Sequence, residues 1–299
     1  MRSLINGFFI GNYFYGICAV ALTVEATVQQ EYPLNSILYF VLVFTATVWY
    51  YTLAYLNDKP GISKNDRTRW YLTNKKFVYY SQLTLVLISL AIIFILAYDY
   101  YPQLISVSLN QLFLFIPFPL VAIAYYGISG MRDFNLRKIG WLKPFVIGFS
   151  WAGLTTIYPL LYYNIIHDQE LWISVGTKWL FIKNFMFVSV LCILFDIKDY
   201  ESDANQNIKT FVVHKGLGFT IFNIVIPLSI AGLISLLIFS YMNNFSLIRI
   251  ILNSLPFFAL VGVAYSLQKR KSILFYLAII DGLMLFKAAC GILAYYIRG

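Results

Sequence analysis

Three aspartates, Asp196, Asp199 and Asp203, stand at i, i+3 and i+7 within LFDIKDYESDANQNIKT, residues 194–210. On a helix turning about 100° per residue, Asp196 and Asp203 fall about 20° apart and Asp199 about 60° from Asp196. All three therefore share one face, while Glu201 points elsewhere. Carboxylates crowded in this way repel one another unless a cation neutralises them. Hard oxygen ligands suit Mg²⁺, which keeps several waters and takes one or two carboxylates together with substrate phosphate oxygens. The spacing thus points to a diphosphate held through metal; the competing reading is a solvated loop flanked by Lys198 and Lys209.

The elements that would position these acids are helices in a bilayer. Of the 299 residues 60% are hydrophobic and 12% charged, far from a soluble domain. Apolar runs at 8–28, 34–56, 78–98, 109–128, 144–166, 171–195, 217–241, 247–267 and 273–297 are each long enough to cross a hydrocarbon core of about 30 Å. They lack the alternation of a barrel, so the expectation is an all-α, polytopic membrane protein of nine transmembrane helices, with residues 1–299 forming a single integral membrane domain. The first run carries Glu25 and has no small-residue cleavage pattern, so it reads as a retained span. Cys18, Cys192 and Cys290 all lie inside runs and form no paired motif, which makes them buried thiols.

The net charge of +9 is distributed unevenly. Lysines and arginines gather in the connections at 57–77, 128–143, 196–216 and 268–272, whereas the opposite side holds Arg249 and Arg298. Short cytoplasmic loops carry such an excess, which places the N-terminus inside and the C-terminus outside. The expected location is a prokaryotic cytoplasmic (inner) membrane, with the active site facing the cytoplasm. Topology also accounts for the positive charge without a nucleic-acid partner. Lys183, Asp281 and Lys287 fall within spans, where an unpaired charge costs at least about 2.5 kcal/mol, and are expected to face the interior as a Lys–Asp pair or to line a cavity. Glu25 and Lys178 lie closer to the outer interface and are expected to snorkel. The many tyrosine pairs suit an interfacial belt, or an inward aromatic lining for a lipid chain or carbocation.

The stretch DIKDYESDANQNIKT, with VVHKGL after it, resembles the second aspartate-rich motif, DxxDxxxD, of the UbiA-type intramembrane prenyltransferases. The nine-helix layout, with acid-bearing loops after the second and sixth spans, is similar to that family along nearly the whole chain, and residues 125–151 resemble its basic loop. The resemblance implies a UbiA-like bundle and Mg²⁺-dependent transfer of an isoprenyl group from a polyprenyl diphosphate to a small aromatic or lipid-like acceptor. It implies that Asp196, Asp199 and Asp203 hold metal and diphosphate. The family's first motif, NDxxDxxxD, is matched here only at Asn57 and Asp58; Gly61 and Asn65 replace the other acids, and Asp66 lies one position beyond. By that carry-over Asp58 is a further metal ligand. Asp66, Arg67, Arg69 and Lys143 are candidates to bind diphosphate, Arg67 and Arg69 by supplying guanidinium charge in place of lost metal, though for these basic residues positive-inside topology is the rival account. The other functional readings are a UbiA-like fold with lost or altered catalysis, and a transporter, for which Pro117 and Pro119 inside the fourth run would supply a broken helix.

Overall fold

A computed structural model describes residues 2–56, 66–126, 136–269 and 271–297. Helix accounts for 84% of it, with no strand among the described residues. In chain order the helices are α1 (Arg2–Ile10), α2 (Tyr13–Gln29), α3 (Ile37–Leu56), α4 (Asp66–Thr73), α5 (Lys75–Asp99), α6 (Tyr101–Ile105), α7 (Leu109–Phe115) and α8 (Pro117–Tyr126). They continue as α9 (Lys143–Ile166), α10 (Val175–Asn205), α11 (Phe211–Lys215), α12 (Leu217–Met242), α13 (Leu247–Ser266) and α14 (Ile273–Tyr296). Six of these, α5, α9, α10, α12, α13 and α14, are long and apolar enough to cross a membrane. Shorter apolar helices occupy Ile37–Leu53 and Leu109–Tyr125. The chain is consistent with an integral, multi-pass membrane protein.

Local sequence explains where the runs break. The first apolar run is split at Gly11–Asn12, where Asn12 adopts the left-handed conformation (φ 67°) that asparagine tolerates better than most residues. The fourth is interrupted at Ile116, ahead of Pro117, which cannot donate to the preceding turn. Three helices contain a wide π-type turn: Gly153–Ile157 in α9, Thr220–Val225 in α12 and Tyr276–Ile280 in α14. In α9 and α12 the wide turn lies just before Pro159 and Pro227. The extra residue there relieves the clash between each proline ring and the carbonyl four positions back. The connection at 57–77 is shorter than the sequence implies, because α4 forms within it and α5 begins at Lys75.

The interior is built around α2 and α10. α2 packs on α3, on α14 and on the wide turn of α9; α13 lies between α12 and α14; α10 touches α9 and α12. Leu22, Phe187, Ile193, Leu194, Ile221, Leu260 and Ile280 interlock at this centre. α5 sits at the edge against α3, with most of its side chains exposed. Three cross-contacts fix α9 and α10 as antiparallel neighbours: Lys143 with Asp196, Gly148 with Ser189, and Thr156 with Asn184. The helices approach so closely at Gly148 that a Cβ there would lie 2.2 Å from Ser189 Oγ, so a small residue is required for this packing.

Candidate functional site

α10 has 31 residues and, at about 1.5 Å each, is roughly 46 Å long, well beyond a hydrocarbon core of about 30 Å. If it enters the bilayer near its Ser174 cap, the crossing is complete near Leu194 and the last three turns project past the core. Those turns carry the aspartates, and the helix continues unbroken to Asn205, as the shared-face spacing requires.

Asp196 is 1% exposed and its Oδ1 accepts from Lys143 Nζ at 2.7 Å. The same ammonium lies 3.4 Å from Asp203 Oδ2, so one cation joins the two acids seven residues apart. Asp199 Oδ1 is 2.8 Å from Lys198 Nζ and is more exposed. The crowding is therefore relieved, in the protein alone, by lysine. Asp196 Oδ2 remains buried without a hydrogen-bond partner, a carboxylate oxygen turned inward with capacity to accept a cation. Among the described residues no three His, Cys, Asp or Glu side chains converge on a metal-sized position. The donor set thus fits a hard cation held by one or two carboxylates with water or phosphate oxygens completing the shell, and does not form a closed protein cage.

Arg67, at the start of α4, is brought to the same end of the bundle and is buried. Its guanidinium donates to Asn12 Oδ1 and, at 3.5 Å, to the carbonyl of Ile10. Asn12 in turn donates to Thr52 Oγ1 and Tyr71 Oη, both at 3.0 Å, and Tyr71 Oη donates to the Ile10 carbonyl at 2.9 Å. The kink at Asn12 thus creates a polar socket that holds Arg67, whose charge acts on both Asp199 and Asp281. Arg69 lies on the exposed face of α4. Asn57 and Asp58 fall outside the described residues, as does the side chain of Asp66, so the first motif is not placed.

Two expectations for the intramembrane charges are corrected. Asp281 pairs with neither Lys183 nor Lys287; it is a wall residue of the aspartate end, accepting from Tyr15 and sensing the charges of Arg67 and Lys198, with its Oδ2 buried and unpartnered. Glu25 does not snorkel but is 0% exposed, with Lys287 Nζ at 2.8 and 2.6 Å from its two carboxylate oxygens and Lys183 Nζ at 3.7 Å from Oε1. The length of a glutamate lets it reach inward from α2, and Gly291 on α14 makes the room: a Cβ there would lie 2.5 Å from Glu25 Oε1.

Inward of the aspartates lies an aromatic group. Tyr15 stacks on Tyr51 with ring centroids 4.7 Å apart, and Trp151 Nε1 donates to Tyr51 Oη. Since Tyr15 also donates to Asp281, the charged end and the aromatic group form one continuous wall contributed by α2, α3, α9 and α14. Other tyrosines, including Tyr79, Tyr80, Tyr98 and Tyr101, are exposed on the outside of the bundle. Sequence reasoning missed Asn12, Tyr15 and Tyr71; the Gly11–Asn12 pair, a turn signal inside an apolar run, was the available clue for the first. No family model matches the chain, and no curated protein or solved structure matches it.

Proposed function

We propose that the chain is an intramembrane prenyltransferase that moves an isoprenyl group from a polyprenyl diphosphate to a small aromatic or lipid-like acceptor, with Mg²⁺ as its cofactor. In this reading nine helical segments cross a prokaryotic inner membrane, the N-terminus is cytoplasmic, and the aspartate end faces the cytoplasm. Its support is that Lys75, Lys138 and Lys209 belong to the same end as the aspartates, as positive-inside topology requires.

One observation carries the reaction class. Asp196, Asp199, Asp203 and Asp281 gather with Lys143, Lys198, Arg67 and Arg137 on a wall that continues through Tyr15 into Tyr51 and Trp151. The acids supply hard oxygen ligands and the basic residues supply positive charge for a diphosphate, the two components that metal-assisted departure of such a group requires. Asp196, Asp199 and Asp203 are the residues that would hold a divalent cation. When bound, Mg²⁺ supplies Lewis-acid stabilisation of the charge that collects on the departing diphosphate.

The chain's own residues then have separable tasks. Lys143 orients Asp196 and Asp203 on the common face. Arg67, fixed by Asn12, aims positive charge at diphosphate oxygens, where it acts more strongly as the allylic C–O bond breaks and negative charge grows. Tyr15, Tyr51 and Trp151 present π faces to the carbon left electron-poor, and the surrounding bundle keeps water from capturing it before the acceptor does. The test is Mg²⁺-dependent binding and turnover of a polyprenyl diphosphate by the purified protein. Asp196→Asn and Asp199→Asn should each abolish turnover; full activity in both variants would remove the metal assignment. Binding without turnover for every acceptor tried would identify a fold that has lost the chemistry.

A transporter is the second reading. It is favoured by the helix breaks at Ile116 and in α9, α12 and α14, and by the buried Glu25–Lys287 pair away from the aspartate end. Solute uptake into vesicles without diphosphate release would establish it.

A further inference from the structure

Far from the aspartates, α10 borders a second polar region that prenyl transfer does not use. Lys183 and Asp196 are thirteen residues apart on one continuous helix, so about 20 Å separates them along its axis. A cavity of about 420 Å³ opens there between the end of α2 and helices α10, α12 and α13. Lys183 and Arg249 line it, with the amides of Gln29, Gln30 and Asn253. Trp179, Leu236 and Phe239 form an apolar flank of the same cavity.

The charge arrangement selects the ligand. Glu25 is engaged through both oxygens by Lys287, at 2.8 and 2.6 Å, while Lys183 stands 3.7 Å from it and donates instead to the neutral Asn253 Oδ1 at 2.9 Å. One buried carboxylate therefore serves two ammonium groups, and the second of them borders the cavity. Arg249 adds a further positive charge with its guanidinium 3.6 Å from the Phe245 ring, and Glu31 at the rim offsets only one of them. An ionisable side chain kept within a span without full compensation marks a functional position. The volume lies in the range of small-molecule sites, and the pairing of a cationic pole with an aromatic flank suits an amphiphile.

We propose that this cavity binds an anionic head group, a phosphate ester or carboxylate, at Lys183 and Arg249, with an apolar tail along Trp179, Leu236 and Phe239. The inference is independent of the prenyltransferase reading. It is tested on the full chain in nanodiscs of zwitterionic lipid with EDTA present, by titrating decyl phosphate, inorganic phosphate and decyltrimethylammonium against intrinsic tryptophan fluorescence.

Decyl phosphate should bind and decyltrimethylammonium should not. Lys183→Met should weaken decyl phosphate at least about tenfold, the usual scale for losing one charge-assisted contact. That variant removes a charge but leaves the Glu25–Lys287 pair intact, so it should fold. Ser235→Phe, which fills the cavity wall without altering charge, should weaken binding as well. Saturation by inorganic phosphate as tight as by decyl phosphate would identify free anions as the source of the head group; a requirement for the decyl chain would identify a lipid. Equal binding of the cationic amphiphile, or affinity unchanged in both variants, would overturn the proposal, because binding at the aspartate end is insensitive to either substitution.

Discussion

Replacing Glu25 by glutamine should be among the most damaging single changes available in this protein. The carboxylate is 0% exposed and neutralises Lys287, itself 2% exposed, while also standing 3.7 Å from Lys183. Glu25→Gln leaves two ammonium groups in the bundle with no carboxylate between them. Breaking a buried pair in this way costs about 3–5 kcal/mol, in line with about 2.5–3.5 kcal/mol for an uncompensated lysine at the centre of a membrane helix. Lys287→Met should cost less, about 1–3 kcal/mol, because Glu25 still has Lys183 within reach. The double variant should be less damaging than the sum of the two, with a coupling of about 2 kcal/mol. Thermal unfolding in mild detergent reads all four proteins, and at about 2–4 °C per kcal/mol the Glu25→Gln midpoint should fall by roughly 6 °C or more. Single variants that melt within a degree of the parent, or penalties that simply add, would refute the view of Glu25 as the shared counter-ion.

Other expectations follow from the aspartate end. Lys143→Met should expose Asp196 and Asp203 to each other, lowering the midpoint without added metal and increasing the stabilisation produced by Mg²⁺, since ligand binding to the folded state raises stability by mass action; no change in the Mg²⁺ response would separate Lys143 from any metal position. Asn12→Ala should weaken diphosphate binding through Arg67 even though Asn12 touches no substrate, and Arg67→Ala should produce a similar loss that Asn12→Ala does not deepen; additive losses in a binding titration would argue against the socket. Gly148→Leu should force α9 and α10 apart and reduce both thermal stability and Mg²⁺-dependent turnover; a variant indistinguishable from the parent would show that the close approach is unimportant.

The apolar runs and the i, i+3, i+7 aspartates were legible because they are local patterns, and a helix must satisfy its own backbone whatever lies around it. Lys143 stood out in the sequence only as a diphosphate-binding candidate at the start of its span; that its ammonium bridges Asp196 and Asp203 depends on how two helices meet and was not legible. The pairing of Glu25 with Lys287 was not, because 262 residues separate them and hydropathy carries no information about which buried charges meet. For the same reason the sequence leaves Asp281 between a lysine partner and a cavity wall, and the structure puts it beside Tyr15 on the aspartate wall. The break at Asn12 was hidden by the apolar residues on both sides. Its local signal, the Gly11–Asn12 pair, is joined by a tertiary one that no local pattern reveals: the side chain is committed to Thr52, Tyr71 and Arg67.

α9, α12 and α14 each contain a wide turn partway along, whereas α10 runs through 31 residues without one. Bending compliance therefore resides in the neighbours, and the helix bearing both charged regions behaves as a stiff strut. The roughly 20 Å between Lys183 and Asp196 is set by helical rise alone. Probes attached along α10 would accordingly serve as an internal ruler, against which any hinging of the surrounding helices can be measured in one membrane-embedded frame.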